Sequence, residues 1–139
     1  MAQVRFYLLE KTPQQQAEYA CRLAHKLLQR ATATALPLYW YHPDVTQLHI
    51  LDELLWSFQA NQFICHGIEQ PDAAINLVSH LSVNPEVLLF NFDSLAIAEP
   101  QRIAQIIEIV DAHEQHKVQA REKFKHYRRC QIEPTTFKV

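Results

Sequence analysis

The residues best placed to do chemistry lie near the C-terminus. Residues 117–129 hold six basic groups (Lys117, Arg121, Lys123, Lys125, Arg128 and Arg129) and one acidic group, Glu122. The segment carries +5, so the rest of the chain carries −7 behind a net charge of only −2. At about 100° per residue, Lys117, Arg121, Lys125 and Arg128 share a helical face roughly 80° wide, with Phe124 at its border and Tyr127 further round. Arginine grips a carboxylate through two parallel hydrogen bonds, and lysine adds undirected attraction. A basic stripe beside a ring suits an anionic ligand with an apolar or aromatic end. A solvated helix face whose cations favour the C-terminal dipole has the same composition, and Phe124 and Tyr127 serve equally well as core residues.

A second constellation is Leu54-Leu55-Trp56-Ser57-Phe58 followed by Phe63-Ile64-Cys65-His66. If Leu55 and Phe58 face a core, Trp56 points elsewhere. Large aromatics in that position either form an interface patch or seal the domain's own edge.

Other chemistries find little support. His113-Glu114-Gln115-His116 does not have the HExxH spacing, and no third ligand accompanies it. Cys21 and His25 lie four apart, but Cys21 belongs to an apolar face. Three scattered cysteines, Cys21, Cys65 and Cys130, fit neither a disulfide framework nor a CxxC zinc site and suit a reducing cytosol. The one glycine, Gly67, cannot build a GxGxxG or GxxxxGK[ST] phosphate loop. No GxSxG elbow is present. Asp93, Glu99 and Asp111 read as cap or surface positions. No metal, cofactor or catalytic residue is expected. The charged start MAQVRFYLLE is not a signal peptide, and no apolar run reaches membrane-spanning length. A cytoplasmic location is expected.

The elements that must position these residues follow from periodicity. Val4–Leu9 and Leu36–Tyr41 read as strands, with Pro37 at the start of the second. Thr12 as cap, Pro13 at the first helical position and Gln15 open a helix whose stripe runs Ala17, Ala20, Cys21, Ala24, Leu27, Leu28, Ala31. Asp44 caps a helix to about Phe58, with Leu48, Leu51, Leu55 and Phe58 inward. Residues 59–72 read as irregular. Ala74–Val78 and Val87–Phe92 read as strands divided by Val83-Asn84-Pro85. Pro100 is expected to open a helix with Ile103, Ile106, Ile107 and Val110 on one face. Residues 113–129 form a last charged helix, and the tail from Ile132 is extended. The order β-α-β-α-β-β-α-α predicts one α/β domain over 1–139, with a mostly parallel central sheet covered by helices on both faces.

Three segments, in order, resemble a known family. Phe6-Tyr7-Leu8-Leu9 is similar to the opening strand of the chi subunit of bacterial DNA polymerase III. Leu51-Asp52-Glu53-Leu54-Leu55-Trp56, with Phe63 and His66, resembles that family's LDExLW…FxPH segment. Ala120 to Arg128 resembles its ARERYKxYR helix. Cys65 stands where the family has proline, and Phe124 where it has tyrosine. The tail Cys130-Gln131-Ile132-Glu133 lacks the family's glycine.

The resemblance implies a Rossmann-like domain without a glycine-rich nucleotide loop or catalysis. It implies a replisome adaptor that pairs with the psi subunit of the clamp loader. It further implies binding of the acidic, phenylalanine-terminated tail of single-stranded DNA-binding protein, with DNA contacted only indirectly. Arg121, Phe124 and Lys125 match the tail-gripping positions, with Arg128 close by and Lys117 on the same face. Trp56 and Phe63 match the psi-facing positions, with Ile64 beside them. Two readings compete: a small nucleotide-dependent or hydrolytic α/β enzyme, and direct nucleic-acid binding by the basic helix.

Overall fold

A computed structural model describes residues 2–30, 36–58, 65–81 and 86–139. Phe63, Ile64, Ala31 and the turn at Val83-Asn84-Pro85 lie outside the described residues. Strand β1 (Gln3–Leu8) leads to helix α1 (Gln16–Gln29), then β2 (Leu38–Tyr41), α2 (Val45–Phe58), β3 (His66–Ile68), β4 (Ile75–Val78) and β5 (Leu88–Asn91). A 3-10 turn (Pro100–Arg102) precedes β6 (Gln105–Val110), α3 (Glu114–Arg129) and β7 (Thr135–Lys138). The strands form one seven-stranded sheet in the order β3-β4-β2-β5-β6-β1-β7. Every pairing in it is parallel. The expected α/β class with a parallel sheet is what the chain adopts.

The sheet buries both faces, as parallel sheets must. On one face, Ala20, Cys21 and Ala24 of α1 and Leu48, Leu51 and Leu55 of α2 pack on Trp40, Leu77, Phe90 and Ile107. On the other, Tyr127 of α3 packs with Val4, Phe6, Leu89 and Ile106. Adjacent residues such as Leu89 and Phe90, or Ile106 and Ile107, thus enter opposite cores, as the two-residue period requires.

Three expectations need correction. Residues 103–110 are not a helix: after the 3-10 turn they run as β6, in register with β1 and β5. Ile106, Ile107, Ile109 and Val110 are all buried, and a run that is apolar on both sides fits a central parallel strand better than a helix stripe. Helix α1 starts at Gln16, not at Pro13, and Gln15 makes no side-chain cap. Thr12 instead accepts a hydrogen bond from the Gln14 amide. The segment read as irregular holds β3, too short to show a period. Asp44 does cap α2, accepting from the Thr46 amide at 2.9 Å.

Candidate functional site

The site follows from topology. The chain leaves β1 through α1 on one face of the sheet and leaves the adjacent β6 through α3 on the opposite face. Connections that diverge this way open a crevice beyond the C-terminal ends of the strands, the place where open α/β sheets bind ligands. A cavity of about 550 Å³ lies there. Its apolar lining is Phe6, Leu8, Val110, Ala120 and Phe124, and Thr136 of β7 closes one side. Lys117 and Arg121 line the α3 side, and Glu10 and Asp111 line the strand ends. The Phe124 ring is half-buried, tilted 53° against Phe6 with centroids 5.5 Å apart.

Of the five residues singled out for an anionic ligand, the structure brings Lys117, Arg121 and Phe124 together in this cavity. Lys125 and Arg128 are exposed further along α3 and do not line it, although the Arg128 guanidinium lies 6.0 Å from the Phe124 ring centroid. Lys117, Lys125 and Arg128 face Glu114, Glu122 and Glu133 at 3.4, 3.5 and 3.3 Å in exposed ion pairs. Such pairs are weak and exchange readily. Arg121 is exposed and makes no hydrogen bond or ion pair among the described residues, so its fork is open to a carboxylate.

Lys123 corrects the surface charge count. It is buried, and its ammonium donates to Glu108 Oε1 at 2.8 Å and to the Asp93 carbonyl at 2.6 Å. Tyr127 is also core: its hydroxyl donates to Glu108 Oε2 and accepts from the Ile97 amide. Asn91 Nδ2 completes the cluster at 2.8 Å from Glu108 Oε2. Burial, then the adjacent Glu108 carboxylate, pushes the Tyr127 phenol far up. A sequence signal for this was available. A glutamate inside Ile106-Ile107-Glu108-Ile109-Val110 can stay in a two-sided core only with partners.

Asp111, one of the positions that read as cap or surface, is buried and caps from a distance. Its carboxylate accepts from the Gln16 amide at 2.9 Å and the His113 amide at 3.0 Å, and pairs with His116 Nδ1 at 2.8 Å. It thus serves the starts of α1 and α3 together, where helix dipoles favour an anion. Burial alone would raise this carboxyl; the His116 and backbone hydrogen bonds outweigh it and hold it below the usual range. In other folds of this type a bound phosphate takes such a position; here a side chain does. His113 and His116 lie ring against ring at 4.9 Å. Among the described residues no three of His, Cys, Asp and Glu converge as metal ligands, and no helix is long and apolar enough to cross a membrane.

The second constellation lies at the far edge of the sheet. Trp56 on α2 is 57% exposed and meets His66 of edge strand β3 edge-on at 4.9 Å. His66 Nε2 lies 3.2 Å from Asp52 Oδ1 one turn before Trp56. A shallow groove beside them is lined by His49, Trp56, Cys65 and Gly67. Its counterparts Phe63 and Ile64 lie outside the described residues. The two candidate surfaces therefore sit at opposite edges, one at β3 and one at β1 and β7.

Residues 1–135 match the sequence model of the family described as DNA polymerase III chi subunit, HolC. The chain belongs to this family. A Pseudomonas aeruginosa relative named DNA polymerase III subunit chi is 30% identical over 132 residues, covering 92% of this chain and 90% of the relative. Among solved structures, the S. cerevisiae Dbp5 C-terminal domain, in a complex with Gle1 and IP6, aligns with a TM-score of 0.55. That alignment covers 98% of this chain and 90% of the Dbp5 chain at 14% identity, a likeness of α/β architecture alone. The family resemblance of the three sequence segments is thereby borne out, and the protein is a replication accessory subunit.

Proposed function

We propose that this subunit is a non-catalytic adaptor with two docking surfaces. The β1–α3 cavity takes the acidic C-terminal tail of single-stranded DNA-binding protein, and the Trp56 surface takes the psi subunit, which ties the chain to the clamp loader. One observation carries the first assignment: an apolar slot lined by Phe6, Leu8 and Val110 opens directly beside Arg121, which has no ion pair among the described residues, and beside Lys117. The tail's terminal ring fills the slot, its terminal carboxylate meets the arginine fork, and its upstream aspartates are drawn towards Lys125 and Arg128. Nothing in this arrangement calls for a bond to be made or broken. DNA is reached through the partner, from the cytoplasm.

A fluorescently labelled copy of the tail, titrated by anisotropy, tests the reading. Binding is expected in the micromolar range and weakens with salt. Arg121→Ala is expected to raise Kd by about tenfold or more, because a desolvated carboxylate loses its partner, with the thermal midpoint unchanged. Equal affinity in the variant refutes the assignment. A shift of the thermal midpoint with ATP, GTP, NAD or a flavin would instead favour an enzyme.

A further inference from the structure

We infer that the buried Glu108–Lys123 pair, with Tyr127 and Asn91, is a positioning device. It sets the rotation of α3 about its own axis and so aims Arg121 and Phe124 into the cavity. The inference rests on the reading of that cavity as a cradle for an anionic, ring-ended peptide.

The argument begins with how little apolar surface α3 offers. Of its sixteen residues, Val118, Ala120, Phe124 and Tyr127 are apolar or aromatic, and Val118 is 53% exposed. Hydrophobic contact is non-directional, so a stripe this thin fixes the helix against the sheet but leaves its rotation poorly defined. Directional bonds supply what is missing. Lys123 and Tyr127 lie one turn apart, and both reach the same carboxylate, one to each oxygen. That carboxylate is itself held by Asn91 from the neighbouring strand β5. The Asp93 carbonyl and the Ile97 amide extend the grip to the loop after β5.

This network lies on the flank of α3 roughly 140° from the Arg121 side. A rotation of about 20° would carry an arginine tip some 6 Å from the axis through ~2 Å. Recognition of a carboxylate by a guanidinium fork does not tolerate that, since working sites hold their groups to within about 0.5 Å. A buried ion pair is a poor device for stability, because apolar residues of similar volume often do as well or better, and its attested use is to fix one arrangement among several.

The test separates stability from aim. Glu108→Leu combined with Lys123→Met keeps the volume apolar but leaves the buried Tyr127 hydroxyl without its acceptor, so it is expected to lower the thermal midpoint by a few degrees while raising the Kd for an aspartate-rich, Phe-terminated peptide at least about tenfold. Ile106→Val, in the same core but outside the network, is expected to lower the midpoint and leave Kd unchanged. If the double variant does not fold, Glu108→Gln, which keeps its hydrogen-bonding shape, carries the test with an expected Kd increase of about threefold or more. A Kd within twofold of wild type in the folded variant overturns the inference. Residual dipolar couplings of the α3 amides, recorded without ligand, read the helix rotation directly. A phase shift in the variant supports the positioning role even if wild type binds no peptide, which would refute only the reading of the cavity. Unchanged couplings overturn the positioning role whatever the peptide does.

Discussion

Replacing Asp111 by alanine removes the one group that serves the starts of two helices. The carboxylate is 7% exposed, and it accepts from two backbone amides and pairs with one imidazole. Hydrogen bonds to a charged group contribute about 1.5–3 kcal/mol each, and loss of a helix cap typically costs about 1 kcal/mol. The His113 amide can find water, since His113 is exposed and Asp111 lines the open cavity. Counting the Gln16 bond as a lost cap of about 1 kcal/mol and the His116 pair at about 1.5 kcal/mol gives a net loss of about 2–3 kcal/mol, or roughly 10 °C in the unfolding midpoint of a domain this size.

The pH dependence has a definite sign. The His116 and backbone hydrogen bonds hold the folded-state pKa of Asp111 below the ordinary aspartate value of 3.8, so its contribution is present in full above that value. The contribution fades as pH falls through the lower folded-state pKa. Circular-dichroism melts of wild type and Asp111→Ala are expected to differ most from pH 5 to 7, and the gap is expected to start narrowing as pH falls below about 3.8. Asp111→Asn retains one acceptor oxygen and should fall between the two. A midpoint loss under about 3 °C at pH 7, or a gap that persists undiminished at pH 3, would refute the capping argument.

Thiol chemistry and the proposed Trp56 docking surface give two further checks. Burial pushes the Cys21 thiol up to about 12, while Cys65 is exposed and Cys130 half-buried at 3.6 Å from His126. Ellman's reagent at pH 8 should therefore label Cys65 fast, Cys130 more slowly and Cys21 only after denaturant is added; three thiols reacting under native conditions would contradict the packing of α1. Trp56→Ala, at a side chain 57% exposed, should change stability by no more than about 0.5 kcal/mol. It should abolish capture by the psi subunit in a pull-down while tail binding persists; loss of both partners together would argue against separate surfaces.

How much of this was legible in the sequence depends on how local each cause is. Helices α2 and α3 could be read because their signals lie within a few residues: Asp44 beside Thr46, a leucine stripe, an unbroken charged run. The start of α1 could not, because its cap, Asp111, arrives from 95 residues downstream. The strand β6 was mistaken for a helix because Ile103, Ile106, Ile107 and Val110 satisfy a helical spacing by accident. Any continuous apolar run does so, and only Ile109, buried on the opposite side of such a helix, argued otherwise. The cradle was legible as a face of α3 but not as a cavity. Phe6, Val110, Asp111 and Thr136 reach it through sheet order, and no sequence spacing announces that β6 and β7 flank β1.

That flanking also governs the order in which the molecule can assemble. Strand β1 is made well before its partners, residues 105–110 and 135–138. Until those emerge, Val4, Phe6 and Tyr7 have no neighbouring strand and remain a sticky ribbon. The sheet is thereby completed only after β6 and β7 are made, and long loop closure slows that step. The cavity bounded by β1, α3 and Thr136 of β7 is therefore complete only once the whole sheet has formed.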